Sequence, residues 1–152
     1  MDNVSRHVRS RTMAAVKSTG NRSTERVLRA HLVRGGFRGW RLHAKEITGC
    51  PDFVFDEQRV AVFVDGCFWH RHAGCKFSYT PKSRVDFWLP KFERNVARDR
   101  LVTRTLRKAG WKVVRVWECQ LSPKKAKRGI ARIERALRVL LPKPEKRQRA
   151  RR

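Results

Sequence analysis

The spacing of apolar positions changes several times along the chain, and each change marks an element. Val27, Leu28, His31 and Leu32 recur at i, i+1, i+4 and i+5. Ser23 or Thr24 offers a cap before them and Gly35-Gly36 a stop after them, which predicts a helix ending near Arg34. Upstream, Val8, Met13 and Val16 predict a short basic helix over residues 5–17. Trp40, Leu42 and Ala44 alternate with polar neighbours, as in a half-buried strand over 40–44. "DFVF" (52–55), the polar turn "DEQR" and "VAVFV" (60–64) read as a hairpin entering the core. A helical period returns over 83–109 with Val85, Trp88, Leu89, Phe92 and Val96. Pro90 lies inside that run and should start the main helix or kink it, since proline has no N–H to give the preceding turn. Gly110 ends the run, "WKVVRVW" (111–117) is a buried strand, and a last helix is expected over 129–141.

Helices and strands alternating over 152 residues predict a single α/β domain, large enough for a core without disulfide staples. The domain is expected over 1–141, and the tail "PKPEKRQRARR" (142–152), with six basic residues in eleven, is expected to be disordered.

Charge narrows the function. Lys and Arg number 38 against 13 Asp and Glu, a formal net charge of +25. An excess of that size suits a polyanion, because neutralising phosphates releases condensed counterions. An anionic lipid surface is the rival partner, but only 129–141 combines an apolar face with a basic one. The N-terminal "MDNVSRHVRS" lacks the apolar stretch of a secretory signal. No apolar run approaches the roughly 20 residues of a membrane span. A cytoplasmic, nucleoid-associated protein is therefore expected, and in that compartment cysteines stay reduced and read as ligands or core thiols.

Two groups of residues could carry chemistry. Cys67, His72 and Cys75 form C-x4-H-x2-C, and Cys119 follows 44 residues on, just past a core strand. Four such ligands would close a tetrahedral, structural zinc site; the alternative is two buried thiols and a surface histidine. Cys50 is the thiol left over, expected to pack as a small side chain. The second group is acidic: Asp52 begins one hairpin strand and Asp65 ends the other, so both carboxylates fall at one sheet end. Carboxylates with a backbone carbonyl suit Mg²⁺, whereas isolated aspartates are usually turn or cap residues. Glu25, on the first strong helix, is a third acid in a chain with few of them.

"PDFVFDE", "FVDGCFWHRH", Phe87-Trp88 with Lys91, Asn95, Arg98 and Asp99, and "GWKVVRVWEC" together resemble the very-short-patch-repair (Vsr) DNA mismatch endonucleases, in the same order, from about Arg9 to Cys119. The resemblance implies a restriction-endonuclease-like fold, a mixed central sheet flanked by helices. It also implies Mg²⁺-dependent nicking of one strand beside the T of a T·G mismatch left by deamination of 5-methylcytosine. The metal-binding carboxylate would be Asp52, with the Val64 carbonyl, and the catalytic histidine His70 with Asp99 as its partner. Glu25 would be the helix glutamate, and Cys67, His72, Cys75 and Cys119 the zinc ligands. The DNA wedge would be Phe68 and Trp69, with Trp88 and Met13 as further contacts and residues 1–20 as a DNA-contacting arm. Asp65 stands where well-known members have His, so it could join the Mg²⁺ shell directly. A monomer acting on duplex DNA is expected, with mismatch-repair proteins as further partners. The competing readings are a non-catalytic, zinc-stabilised nucleic-acid-binding module and a restriction-like nickase of other specificity.

Overall fold

The computed structural model describes residues 24–121 and 126–138, with Ser5, His7, Val8 and Arg11 before them. Most of the expected first helix, Met13 and the basic tail lie outside the described residues. Among the described residues four strands form one mixed sheet in the order β1-β2-β3-β4. Strand β1 (Trp40–Leu42) pairs antiparallel with β2 (Phe53–Phe55), and β2 antiparallel with β3 (Val60–Asp65). The β2–β3 hairpin closes on the expected polar turn, where the Arg59 N–H donates to the Asp56 carbonyl at 3.0 Å. Strand β4 (Lys112–Trp117) lies parallel to β3, with Phe63 opposite Arg115 and Asp65 opposite Trp117.

The period-2 alternation of β3 and β4 sends two apolar sets to opposite faces. Val60, Val62, Val114 and Val116 meet Leu28 and Leu32 of α1 (Glu25–Arg34) and Ile130 and Ile133 of α3 (Ala126–Arg138). Ala61, Phe63 and Val113 meet Val102 and Leu106 of α2 (Val85–Lys108). The helices therefore flank the sheet on both sides, in a single α/β domain. Thr24 opens α1 through its carbonyl, which accepts from the Leu28 N–H at 3.0 Å, and makes no side-chain cap. Helix α2 runs through Pro90 without ending, and its buried residues are Trp88, Phe92, Val102 and Leu106, while Leu89 faces solvent. Helix α3 begins three residues before the expected 129, because Ala126-Lys127-Arg128 extend the helix with residues that carry no apolar signal. No described helix is long and apolar enough to cross a membrane.

Candidate active site and metal centre

Parallel strands β3 and β4 end side by side, and the chemistry lies beyond those ends, where open α/β sheets gather their ligands. Cys67 follows β3 closely, and Cys119 sits in the 3₁₀ turn Glu118–Gln120 that follows β4. The loop after Cys67 doubles back in tight turns: the His72 N–H donates to the Cys67 carbonyl and the Cys75 N–H to the His72 carbonyl, both at 3.1 Å. Arg71, in the left-handed region at φ +55°, lies between His70 and His72 where the loop reverses. One ligand atom from each of Cys67, His72, Cys75 and Cys119 lies within 4.8 Å of all the others. His72 Nδ1 is 3.5 Å from Cys67 Sγ and 3.4 Å from Cys119 Sγ. Ligand atoms around a tetrahedral zinc stand roughly 3.3–3.8 Å apart for the usual Zn–N and Zn–S lengths, so the donor set fits such an ion. Burial raises the Cys67 pKa, and burial followed by the charge of Arg132 lowers that of His72. Both effects favour the neutral imidazole, the form that ligates a metal, and the ring stacks on Trp117 at 4.2 Å. Cys50 is not packed as expected. It is exposed, with φ +50°, because the turn from Ile47 to Cys50 points its side chain outward.

On the other side of β3, Asp52 Oδ2 accepts from the Val64 N–H at 2.6 Å. Asp52 groups with Glu25 and His43, whose ligand atoms lie within 4.8 Å of one another. His43 Nε2 is 3.1 Å from Glu25 Oε2. Burial, with the negative charges of Glu25 and Asp65 against the pull of the Val64 N–H, raises the Asp52 pKa to about 6. An acidic site that disfavours its own ionisation is one that a bound cation would relieve, and carboxylates are suitable ligands for Mg²⁺.

Asp65 instead faces α2. The Arg115 Nη1 donates to its two carboxylate oxygens at 2.9 and 2.7 Å. The same guanidinium donates to the Asp99 carbonyl at 3.2 Å and, from Nε, to Thr103 Oγ1 at 3.3 Å. Asp99 Oδ2 is 2.6 Å from His70 Nδ1, and Asp65 Oδ1 is 3.8 Å from the same nitrogen. The structure thus brings His70 and Asp99 together from positions 29 apart in sequence. A single cavity of ≈ 220 Å³ is lined by Asp52, Val64, Asp65, His70, Asp99 and Arg115.

Sequence reasoning missed two of these groups. Arg115 is a lone charge within "VVRVW", which was a usable signal. His43 follows a short strand and had none.

Phe68 makes ring contacts with Trp69, Tyr79, Trp88 and Phe92 at 5.0–5.4 Å. Trp88 and Phe92 are buried, Phe68 and Trp69 half-buried, and Tyr79 and Phe87 exposed. The Asn95 side chain donates to the Trp69 carbonyl at 3.1 Å, and Arg71 lies over the Phe92 ring at 4.5 Å, so the aromatic loop is anchored to α2.

A family model described as DNA mismatch endonuclease Vsr matches residues 1–76. The type II nicking enzyme V.XorIIP of Xanthomonas oryzae pv. oryzae is 45% identical over 80% of this chain and 87% of its own. The DNA mismatch endonuclease Vsr of Escherichia coli (strain K12) is 42% identical over 74% of this chain and 70% of its own. The type II nicking enzyme V.NmeAIP of Neisseria meningitidis is 42% identical over 66% of this chain and 70% of its own. An α/β domain with an acidic cluster and a His–Asp pair beyond its parallel strands, and relatives of this kind, define a DNA endonuclease. The chain belongs to the Vsr family, whose fold is restriction-endonuclease-like.

Proposed function

We propose that the protein nicks one strand of duplex DNA beside the T of a T·G mismatch, in a Mg²⁺-dependent hydrolysis. The observation that carries the reading is the convergence of Asp52, Val64, Asp65, His70 and Asp99 on one cavity. Mg²⁺ held by Asp52 and the Val64 carbonyl, with Asp65 beside them, would polarise the phosphodiester and steady the leaving oxygen. His70 is the general base. Asp99 on Nδ1 fixes that nitrogen as the donor, leaving Nε2 to take the proton of the attacking water. Glu25 orients His43 at the edge of the acidic cluster. Arg115 pairs with Asp65 beside the cleft and stands between it and Asp99.

Cys67, His72, Cys75 and Cys119 would hold a zinc ion, which would tie the loop to the end of β4 and so help fix where His70, Phe68 and Trp69 stand. The aromatics Phe68 and Trp69, with Trp88 beneath them, form the wedge that opens the stack, and a mismatch lowers the energy needed to do so. Met13 is a further DNA contact in this reading, and residues 1–20 a DNA-contacting arm. The protein acts as a monomer on the nucleoid and hands its nick to mismatch-repair proteins. The name of the Escherichia coli relative supports the mismatch reading. The nicking-enzyme names of the other relatives keep a restriction-like nickase of other specificity as the second reading. The test is nicking of a labelled T·G duplex in Mg²⁺ by the parent and by His70→Ala. A fall on the order of 10² in rate is expected for a lost general base, and a near-parental rate would remove His70 from the chemistry.

A further inference from the structure

We propose that the C-terminal half of α2 is a track for the backbone phosphates of the DNA strand running on from the cut. The proposal rests on the reading of His70 and Asp99 as the cutting pair. Residues 100–108 include four basic side chains, Arg100, Arg104, Arg107 and Lys108, and no acidic one. All four are exposed, and among the described residues none of them is in an ion pair. They line one open cavity of ≈ 700 Å³ together with His70 and Asp99, so the basic surface leads directly into the cleft. The spacing i, i+4, i+7 and i+8 keeps them on one helix face.

Such a row opposes the folding of its own helix. Like charges four residues apart repel, and only Arg107 and Lys108 lie in the last turn, where the helix dipole favours a cation. Arg100 and Arg104 have no such compensation from the helix, so a row of this kind is suited to an external polyanion. Its length matches. From Asp99 to Lys108 the helix rises roughly 13 Å, enough to lie beside several phosphates of one strand, which recur about every 3.4 Å of duplex axis and stand further apart along the strand itself. The same helix places Trp88 and Phe92 a few turns before Asp99. One rigid rod therefore sets aromatic contacts on one side of the cutting pair and phosphate contacts on the other.

The experiment measures the salt dependence of binding to a matched duplex and a T·G duplex without Mg²⁺. It compares the parent, Arg100→Gln/Arg104→Gln/Arg107→Gln, and a control losing three exposed charges elsewhere, Arg34→Gln/Arg38→Gln/Lys45→Gln. Each lost phosphate contact should lower the slope of log K against log[salt] by about 0.9. The α2 variant is expected to lose about 2–3 of slope on both duplexes and the control less than 1. Circular dichroism confirms that all three proteins are folded, and the same three arginines changed to Lys should keep the parental slope. Equal losses in the two Gln variants would overturn the track and leave only bulk charge. The mismatch reading is judged separately, by whether the parent prefers T·G to matched duplex, a ratio neither variant should change.

Discussion

Arg115→Met removes a guanidinium while keeping much of the stem, so its effect isolates the charge at the centre of the cleft. Asp65, 3% exposed, would lose donors at 2.7 and 2.9 Å. The Asp99 carbonyl and Thr103 would lose theirs at 3.2 and 3.3 Å, and the Phe63 ring a cation 4.7 Å from its centroid. Removing one partner of a buried pair and leaving the other charged typically costs about 3–5 kcal/mol. The Arg115 side chain is 18% exposed, so water can reach Asp65 in part, and about 3 kcal/mol is the expected loss. That is a large fraction of a domain's stability. The measurement is urea unfolding in Mg²⁺-free buffer, run for parent, Arg115→Met, Asp65→Asn and the double variant. Neutralising both partners should recover about 1–2 kcal/mol relative to the sum of the single losses, as expected for residues in contact. A loss below about 1 kcal/mol for Arg115→Met, or strict additivity, would refute the idea that this pair organises the cleft.

Asp52 gives a pH signature in the Mg²⁺-free protein. Its pKa rises from 3.8 to about 6 on folding, so between those values the folded chain holds a proton that the unfolded chain has released. Stability should therefore fall by up to about 3 kcal/mol as pH rises through that window and level off above it. Asp52→Asn should flatten the slope, gain stability at neutral pH and abolish nicking; an unchanged slope would place the titration elsewhere. The purified protein should contain one zinc per chain by elemental analysis, and Cys119→Ser should lower its melting temperature steeply, because such sites couple binding to folding. Cys50→Ser, at an exposed position, should leave the melting temperature alone; equal effects from both would remove the distinction between ligand and bystander. Phe68→Ala/Trp69→Ala should weaken T·G binding, by roughly 1–3 kcal/mol per aromatic at most, and leave matched-duplex binding nearly unchanged. Because Phe68 also packs on Trp88 and Phe92, Trp69→Ala alone is the cleaner variant, and equal loss on both duplexes would make these rings core.

Most elements were legible because each carries its own periodicity. The run Val60–Asp65 and the run Lys112–Trp117 are apolar enough to be read as core strands without knowing that they pair in parallel. The Cys/His cluster was legible because three of its four members fall within nine residues. What stayed hidden is what depends on the fold bringing distant positions together. The hairpin pattern places Asp65 at the sheet end beside Asp52 and says nothing of a basic partner. The nearest charge to Asp65 is Arg115, 50 positions away, and Asp65 reaches that charge because the odd positions of β3 and β4 share the face under α2. His43 joins Glu25 and Asp52 for the same kind of reason, with a strand end meeting a helix start. Cys50 was misplaced because turn geometry, not hydrophobicity, decides where its side chain points.

In the proposed function one cleft cuts and the adjoining aromatics choose the site. The most direct test is strand-resolved nicking of two duplexes that differ in a single base, T·G against T·A, each labelled on both strands, in Mg²⁺ and in its absence. A single nick beside the T of the T·G duplex is expected, dependent on Mg²⁺, with the T·A duplex intact over the same time. Equal nicking of the two duplexes would contradict mismatch recognition, and cleavage of both strands would contradict a nickase.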